Sequence, residues 1–166
     1  MGNYKDDFKK RNEGVKAEDI AYEFYKGKNL FPVKIGFDAL NENIPAKMWL
    51  NTPRKIRNIP DFVVINKVEN FFVECKGASE AVKFKIKDLK SYAYWSEYMA
   101  VIMFIYSTSV DSIYRIEYLK LMELIDGGNY RIGMYKENLE KFYEIPVKDL
   151  TLKGENPIKY ERRKRS

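Results

Sequence analysis

The stretch Asn58–Gly77, NIPDFVVINKVENFFVECKG, indicates how the rest of the chain folds. Its two halves, 59–66 and 70–75, are rich in β-branched and aromatic residues and flank a short polar segment, which is typical of a β-hairpin. We expect the turn to be centred on Val68-Glu69. The cross-strand pairs that follow are Asn66–Phe71, Val64–Val73, Val63–Glu74 and Asp61–Lys76.

The parity of this hairpin decides which side chains share a face. Side chains alternate across a strand, so a two- or four-residue turn places Asp61, Glu74 and Lys76 on one face, whereas a three-residue turn separates the two acids. On one face, Asp61 and Glu74 are diagonal neighbours within about 7–8 Å at Cα. Charged groups on an otherwise apolar sheet are costly unless they are paired or bind a metal ion. The same face is expected to carry Val63, Ile65 and Phe72, and the opposite face Phe62, Val64, Phe71, Val73 and Cys75.

The composition excludes several kinds of chemistry. The 166 residues fit one domain with a sizeable core, and they contain no histidine. This excludes His-dependent triads and His-ligated zinc, and leaves carboxylates, lysines and a hard metal ion for hydrolysis. A net charge of +6 suits a polyanion such as nucleic acid. The single cysteine and the lack of a long apolar run predict a cytoplasmic, reducing location without membrane association.

The remaining pattern predicts an α/β domain in residues 14–150, between a flexible charged arm (1–13) and a basic C-terminal tail (151–166). A helical stripe begins at Gly14 and ends near Gly27, and the apolar run 99–106 predicts a strand buried on both faces. Together these elements favour a mixed central sheet with helices on both faces. The other expected elements are a strand at 30–37 that Pro32 either places at an edge or makes start later, helices at 81–98 and 113–125, and short strands at 130–135 and 141–147.

The loop 38–58 has no clear period, and a loop of this length in a compact domain is usually functional or mobile. In its second half, basic residues alternate with an aromatic one, a combination that suits a phosphate backbone and an unstacked base. A solvated loop anchored by its tryptophan is the equally weighted alternative. The residues concerned are Lys47, Trp49, Arg54, Lys55 and Arg57.

The order α-β-β-β-α-β, with Pro60-Asp61 before the hairpin and Glu74-Cys75-Lys76 at its end, resembles the PD-(D/E)XK nuclease superfamily. The resemblance covers about residues 14–106 and is nearest to the Holliday-junction-resolvase-like members. It implies a restriction-endonuclease-like αβββαβ core, followed here by a small C-terminal α/β extension. Phage nucleases share this fold, so the resemblance is also compatible with a phage or viral source.

The resemblance adds two helical positions. Resolvase-like members carry Gly-x-x-Ala-Glu in the first helix, which matches Gly14–Glu18 and makes Glu18 a third acid, with Glu23 as the fallback. Some branches carry Gln-x-x-x-Tyr on the helix after the hairpin. The segment Lys90–Tyr94 looks like a lysine version of this motif, with Lys87 as a rival one turn earlier.

The family chemistry then assigns roles to these residues. It implies a metal-dependent endodeoxyribonuclease acting on branched or structured DNA, with Mg²⁺ (or Mn²⁺ as a substitute) and no organic cofactor. Asp61, Glu74, Glu18 and the backbone carbonyl of Cys75 would hold the metal, and Lys76 would lie beside the attacking water and the phosphate. Resolvases of this kind act as symmetric dimers, so a homodimer is expected. The expected DNA contacts are Trp49, Arg54, Lys55, Arg57, Lys87, Lys90 and Tyr94.

Other interpretations remain open at the level of sequence. The protein could be a restriction-type or nicking nuclease on duplex DNA, an inactive DNA-binding module of the same fold, or a structural protein without a nucleic-acid role. RNA is not excluded as a substrate. Asp61 and Glu74 could be ordinary strand-end charges with Lys76 as their ion-pair partner, and Glu18 a surface glutamate. Cys75 is expected to be a small buried apolar residue rather than a reactive thiol.

Overall fold

The computed structural model describes residues 4–36 and 45–161. The described helices are α1 (Tyr4–Gly27), α2 (Ala46–Asn51), α3 (Arg54–Arg57), α4 (Ile86–Ser96), α5 (Tyr118–Gly127) and a 3₁₀ helix (Val147–Leu152). The described strands are β1 (Phe31–Lys34), β2 (Phe62–Ile65), β3 (Phe71–Ala78), β4 (Ala81–Lys85), β5 (Val101–Ser107), β6 (Ser112–Glu117), β7 (Arg131–Met134), β8 (Lys141–Pro146) and β9 (Ile158–Lys159).

Within the described ranges the strands form two sheets. The larger has the order β1-β2-β3-β5-β6-β9, and the smaller has the order β4-β8-β7. The pairing of β3 with β5 is parallel and the other described pairs are antiparallel, so the larger sheet is mixed, as predicted. The predicted edge position of the strand containing Pro32 is confirmed, because β1 pairs only with β2 among the described strands.

Apolar side chains cover both faces of the larger sheet. On one face α1 packs through Ala17, Ile20 and Tyr25 against alternate residues of the central strands. On the other face α4 and α5 pack against a second cluster, which also takes in the smaller sheet. The central strand β5 lies between the two layers, so nearly all of its residues are buried, as the continuous apolar run predicted.

The hairpin partition by face is confirmed, but its predicted register is wrong by two residues. Val64 pairs with Phe71 and Phe62 with Val73, so the turn is centred on Lys67-Val68. Asn66 fixes this turn, because its Oδ1 accepts hydrogen bonds from the backbone N–H groups of Val68 (2.7 Å) and Glu69 (2.9 Å). A shift by two keeps the parity of both strands, so Asp61 remains on the face that carries Glu74.

Two segments predicted as helix are strands at their start. Residues 81–85 form β4, where Val82 and Phe84 are buried and Lys83 is exposed, a period of two that the longer helical pattern after it obscures. Residues 113–117 belong to β6, where burial on both faces hides the alternation of a strand. The predicted strands at 130–135 and 141–147 are confirmed as β7 and β8, which lie in the smaller sheet.

The ends of the chain also differ from the prediction. α1 begins at Tyr4 rather than Gly14. The second half of the long loop forms the short helices α2 and α3, while residues 37–44 lie outside the described residues. Part of the predicted tail belongs to the fold, because β9 pairs with β6. Residues 162–166 lie outside the described part.

Candidate active site

A cavity of about 240 Å³ lies where α1, β1, the segment before β2, β3 and α4 meet. It opens on the face of the sheet that carries the hairpin charges. Three of the four residues predicted to be catalytic line it, and the fourth, Lys76, contacts one of them. The lining residues are Glu18, Lys34, Gly36, Arg57, Asn58, Ile59, Asp61, Glu74, Asp88 and Tyr92.

Glu74 is the most buried of these acids, with 8% of its surface exposed. Its Oε1 accepts hydrogen bonds from the Tyr92 hydroxyl (2.6 Å) and from Lys76 Nζ (2.5 Å), and Lys76 Nζ also reaches the Tyr92 oxygen (3.3 Å). Burial disfavours the charged form of Lys76, but Glu74, Tyr92 and Asp88 together outweigh this effect and raise the pKa of Lys76 well above its usual value. Lys76 is therefore an ammonium ion at neutral pH.

Asp61 is held in place by the backbone on two sides. Its Oδ2 accepts a hydrogen bond from the backbone N–H of Cys75 (2.7 Å), and its own carbonyl accepts from the N–H groups of Ile35 (2.9 Å) and Gly36 (3.0 Å). The chain passes so close here that a Cβ at position 36 would lie 3.1 Å from the Asp61 Cα, which explains the glycine. Burial and then the charge of Glu74 raise the pKa of Asp61 well above its usual value.

Glu18 reaches the same cavity from α1, on the other side of the sheet edge. Its Oε2 accepts a hydrogen bond from Lys34 Nζ at 2.7 Å, and its side chain is 27% exposed. The charge of Glu18 also contributes to the raised pKa of Asp61. Glu18, Asp61 and Glu74 therefore converge on one cavity from separate elements, as the spacing and the resemblance predicted.

The donor atoms suit a hard cation, although they are not assembled into a closed cage. The cavity offers carboxylate oxygens, the ligands that Mg²⁺ prefers, and a cation there would relieve the repulsion that raises the pKa of Asp61. Among the described residues, no group of three or more Asp, Glu or Cys side chains is close enough to hold an ion as it stands. Lys76 and Lys34 each bind one oxygen of Glu74 and of Glu18, respectively, so a cation ligated by these carboxylates would lie near both ammonium groups.

The Cys75 side chain lies outside this oxygen set. It is buried on the opposite face of the sheet, among the residues that pack against α1. Burial, followed by the charges of Asp61 and Glu74, raises the pKa of the Cys75 thiol well above its usual value. The sulfur is therefore a neutral packing group, and only the predicted ligand role of the backbone carbonyl remains a prediction.

The predicted DNA contacts are divided between the cavity and the adjoining surface. Arg57 lines the cavity, whereas Lys55 places its Nζ 3.8 Å from the centre of the Tyr94 ring, beside Trp95. Lys90 and Arg54 are exposed, and Lys87 forms an ion pair with Glu140. Trp49 lies in α2, and its side chain is outside the described part of the structure.

Sequence reasoning missed Tyr92, the residue of α4 that contacts Glu74. The motif Lys90–Tyr94 predicted a functional role for Tyr94. In the structure, Tyr94 packs against Trp95 and Tyr98, while Tyr92 contacts Glu74. The spacing of Asp88 and Tyr92, four residues apart on one helix face, was the available signal. Both residues line the cavity, next to the buried Leu89.

Comparisons with known proteins support the fold. No protein-family model matches the chain, and no curated protein matches it in sequence. Among solved structures the chain is similar to Hjc, a Holliday junction resolvase from the archaeal hyperthermophile Archaeoglobus fulgidus, with 7% identity, a TM-score of 0.51 and coverage of 86% of this chain and 89% of that one. A nuclease from a fusselovirus matches with 9% identity, a TM-score of 0.48 and coverage of 90% and 87%. The likeness to the resolvase structure shows that the chain shares its fold, a mixed central sheet flanked by helices, which is the fold class predicted from the hairpin.

No described helix is both long and apolar enough to cross a membrane.

Proposed function

We propose that this protein is a metal-dependent endonuclease that hydrolyses phosphodiester bonds in DNA, with branched or structured DNA as its substrate. The observation that carries the proposal is the convergence of Asp61 and Glu74 at one open cavity of a nuclease fold, with Lys76 bound to Glu74. Two neighbouring carboxylates can hold a cation, and that cation together with the Lys76 ammonium group suits the negative charge that develops on a phosphate during hydrolysis.

Mg²⁺, with Mn²⁺ as a substitute, would be held by Asp61, Glu74, Glu18 and the Cys75 carbonyl. When bound, such an ion polarises the scissile phosphate and supplies a water of lowered pKa. The support for this choice is the oxygen-only donor set, together with the like-charge repulsion between Asp61 and Glu74. This part of the proposal is tested by measuring Mg²⁺ or Mn²⁺ binding to the wild type and to Asp61→Ala. Binding should be lost in the variant.

The protein's own side chains have distinct tasks in this scheme. Lys76 keeps its proton because Glu74 raises its pKa, so it serves as a positive charge beside the phosphate and not as a general base. Tyr92 donates to Glu74 Oε1 and fixes the orientation of that carboxylate. Arg57 lines the cavity wall and supplies a further positive charge for the DNA backbone.

The preference for branched DNA is supported by the resolvase-like order of elements. Proteins of this kind read DNA shape and backbone rather than base sequence. We also propose a homodimer, because a four-way junction presents two symmetric strands for cutting. Light scattering during size-exclusion chromatography measures this property directly.

One observation favours a second candidate, an inactive DNA-binding module of the same fold. Lys76 already forms an ion pair with Glu74, and the described acids are not gathered into a closed metal cage. Such a module would bind DNA in a salt-sensitive way and cut none of it.

Cleavage of labelled DNA separates these candidates. Wild-type protein is incubated with linear duplex, flap and four-way DNA in Mg²⁺, in Mn²⁺ and in EDTA. We expect metal-dependent cutting of the four-way substrate, and a loss of about 100-fold or more in Asp61→Ala, because a group that stabilises the transition state is removed. Asp19→Ala is the matched control, since Asp19 is an exposed acid on α1 next to Glu18.

Fixed-site cutting of linear duplex would instead identify a restriction-type or nicking enzyme. Binding without cutting in either metal would identify the inactive module. Full activity in Asp61→Ala would show that the cavity is not the active site. Parallel reactions with RNA substrates define whether RNA is also cut.

A further inference from the structure

The β7–β8 hairpin brings an acidic residue to the start of α4, next to the candidate active site. Its loop, residues 135–140, is closed by backbone hydrogen bonds from the N–H of Tyr135 to the Glu140 carbonyl (2.9 Å) and from the N–H of Leu139 to the Tyr135 carbonyl (2.9 Å). Leu139 adopts a φ of 57° to complete this tight loop. The loop therefore holds Glu140 in a defined position.

Glu140 faces two lysines that flank the first residue of α4. Its Oε1 forms a direct ion pair with Lys87, and its Oε2 lies 3.0 Å from Lys85 Nζ. The Oε2 atom is buried and accepts no hydrogen bond with good geometry from any described residue. One carboxylate oxygen is thus held by charge alone, which is an incomplete arrangement for a buried oxygen atom.

Positive charge exceeds negative charge around this carboxylate. Burial lowers the pKa of Lys87, and the nearby charges of Lys85, Arg54 and Arg57 lower it further against the opposing effect of Asp88. Arg57 and Asp88 both line the candidate active-site cavity, and their charges act on Lys87, so Lys87 lies close to that cavity. Cations in such a position suit a second phosphate of the strand whose neighbouring phosphate enters the cavity.

We propose that Lys85 and Lys87 form a binding site for a DNA backbone phosphate beside the scissile one, and that Glu140 is a resident carboxylate which this phosphate displaces. Carboxylate and phosphate oxygens are alternative partners of the same lysine groups. Ion pairs at partly exposed positions contribute little to stability, so the exchange costs little. The β7–β8 hairpin would thereby weaken DNA binding until a backbone phosphate enters the site. This inference rests on the proposed function.

The test compares two variants with the same change in charge. Glu140→Gln removes the resident carboxylate, while Glu144→Gln removes an acid on the same strand whose partner, Lys83, lies 3.8 Å away. Affinity for fluorescein-labelled duplex and four-way DNA is measured by anisotropy in EDTA at about 0.1 M salt. We expect Glu140→Gln to bind about five- to tenfold more tightly than wild type, as expected for one phosphate contact made available. Glu144→Gln should change affinity by less than about twofold.

Two further variants show whether the gain acts through the lysines. Glu140→Asp keeps the charge and should bind as wild type does. Adding Lys85→Gln and Lys87→Gln to Glu140→Gln should abolish the gain. The inference is overturned if Glu140→Gln binds no more tightly than Glu144→Gln, or if the gain persists without the lysines. Metal-dependent cutting by the wild type is measured separately. If the wild type cuts DNA but Glu140→Gln does not change the affinity, this inference alone is refuted. If the protein neither binds nor cuts DNA, both this inference and the proposed function are refuted.

Discussion

Asp61 and Glu74 place two carboxylates side by side in a cavity over the interior strands of the sheet, an arrangement that costs folding free energy in the absence of a cation. The single ammonium group of Lys76 compensates only one of them by direct contact, because its hydrogen bond goes to Glu74. Asp61 has a backbone N–H from Cys75 as its described partner instead. Asp61 is therefore the residue at which stability and activity should oppose each other.

We predict that Asp61→Asn stabilises the metal-free protein. The asparagine oxygen can still accept the hydrogen bond from Cys75, while the buried negative charge is removed. Because the pKa of Asp61 is raised in the folded state, its contribution to stability is present below the ordinary carboxyl pKa, about 3.9, and is lost as the pH rises through the raised value. In EDTA at pH 7.5, a gain of about 1 kcal/mol would raise the Tm by about 2–4 °C.

Thermal melts at several pH values and metal concentrations check this prediction. The stability difference between variant and wild type should shrink as the pH falls towards 4. Mg²⁺ or Mn²⁺ should raise the Tm of the wild type and leave that of Asp61→Asn unchanged. Asp19→Asn controls for loss of an exposed acid. A variant that melts below the wild type in EDTA at pH 7.5 would contradict the proposed strain at Asp61.

At the residue scale, the sequence predicted where the acidic side chains lie, but not which side chains contact them. The alternation of side chains in two short strands is a local rule, and it correctly put Asp61 and Glu74 on one face. Tyr92 could not be found in this way, because its contact with Glu74 depends on how α4 packs over β3. The ion pair of Lys34 with Glu18 likewise joins residues from separate elements, which no local pattern encodes.

At the scale of elements, the turn of the β2–β3 hairpin sets the position of the site. Asn66 accepts two backbone hydrogen bonds through Oδ1, and its Nδ2 donates to the Glu69 carbonyl. These contacts choose the turn at Lys67-Val68 over the one expected from sequence, because an asparagine side chain can replace a backbone partner in a turn. The register follows from that choice.

We predict that Asn66→Ala destabilises the protein by about 1 kcal/mol, because two backbone N–H groups lose their acceptor. The Tm should fall by about 2–4 °C in a chain of this size. Cleavage below the melting range should stay near the wild-type rate, since sheet packing on both faces also fixes the register. Lys67→Ala, an exposed change in the same turn, is the control, and equal Tm values for the two variants would show that Asn66 does not determine the turn.

The errors at β4 and β6 have a common cause. Each strand is short and runs directly into a helix, so a window of residues that includes both shows the helical period. β4 is defined by its pairing with β8, about 60 residues later, and β6 by its pairing with β5. The distant partner of β4 is invisible to a local pattern, and its pairing with β8 also creates the smaller sheet, whose β7–β8 loop carries Glu140.

At the scale of the whole molecule, the formal net charge of +6 is distributed unevenly along the sequence. Four of its positive charges, at Arg162, Arg163, Lys164 and Arg165, lie in the last five residues, which are outside the described part of the structure. A cluster of like charges near a chain terminus is typical of a segment that contacts nucleic acid through phosphates. Truncation after Glu161 would leave a formal net charge of +2.

We predict that this truncation lowers the salt dependence of DNA binding. Each phosphate contact contributes about 0.9 to the slope of log affinity against log salt concentration, so loss of two or more contacts should reduce the slope by about 2 or more. The measurement is a set of anisotropy titrations with duplex DNA between about 50 and 300 mM salt. The Tm should not change, because the truncation keeps β9 and the whole of both sheets.

A variant in which residues 162–166 are replaced by glycine and serine separates charge from chain length, and it should behave as the truncation does. Cleavage at saturating protein should be unaffected, since the cavity is lined by residues between Glu18 and Tyr92. If the slope of log affinity against log salt concentration is unchanged in both the truncation and the glycine-serine variant, the phosphate contacts are made by the described surface around Arg57 and Lys87. The effect of Glu140→Gln should persist in the truncated protein, because the lysines that face Glu140 lie on β4 and α4 and do not depend on the last five residues.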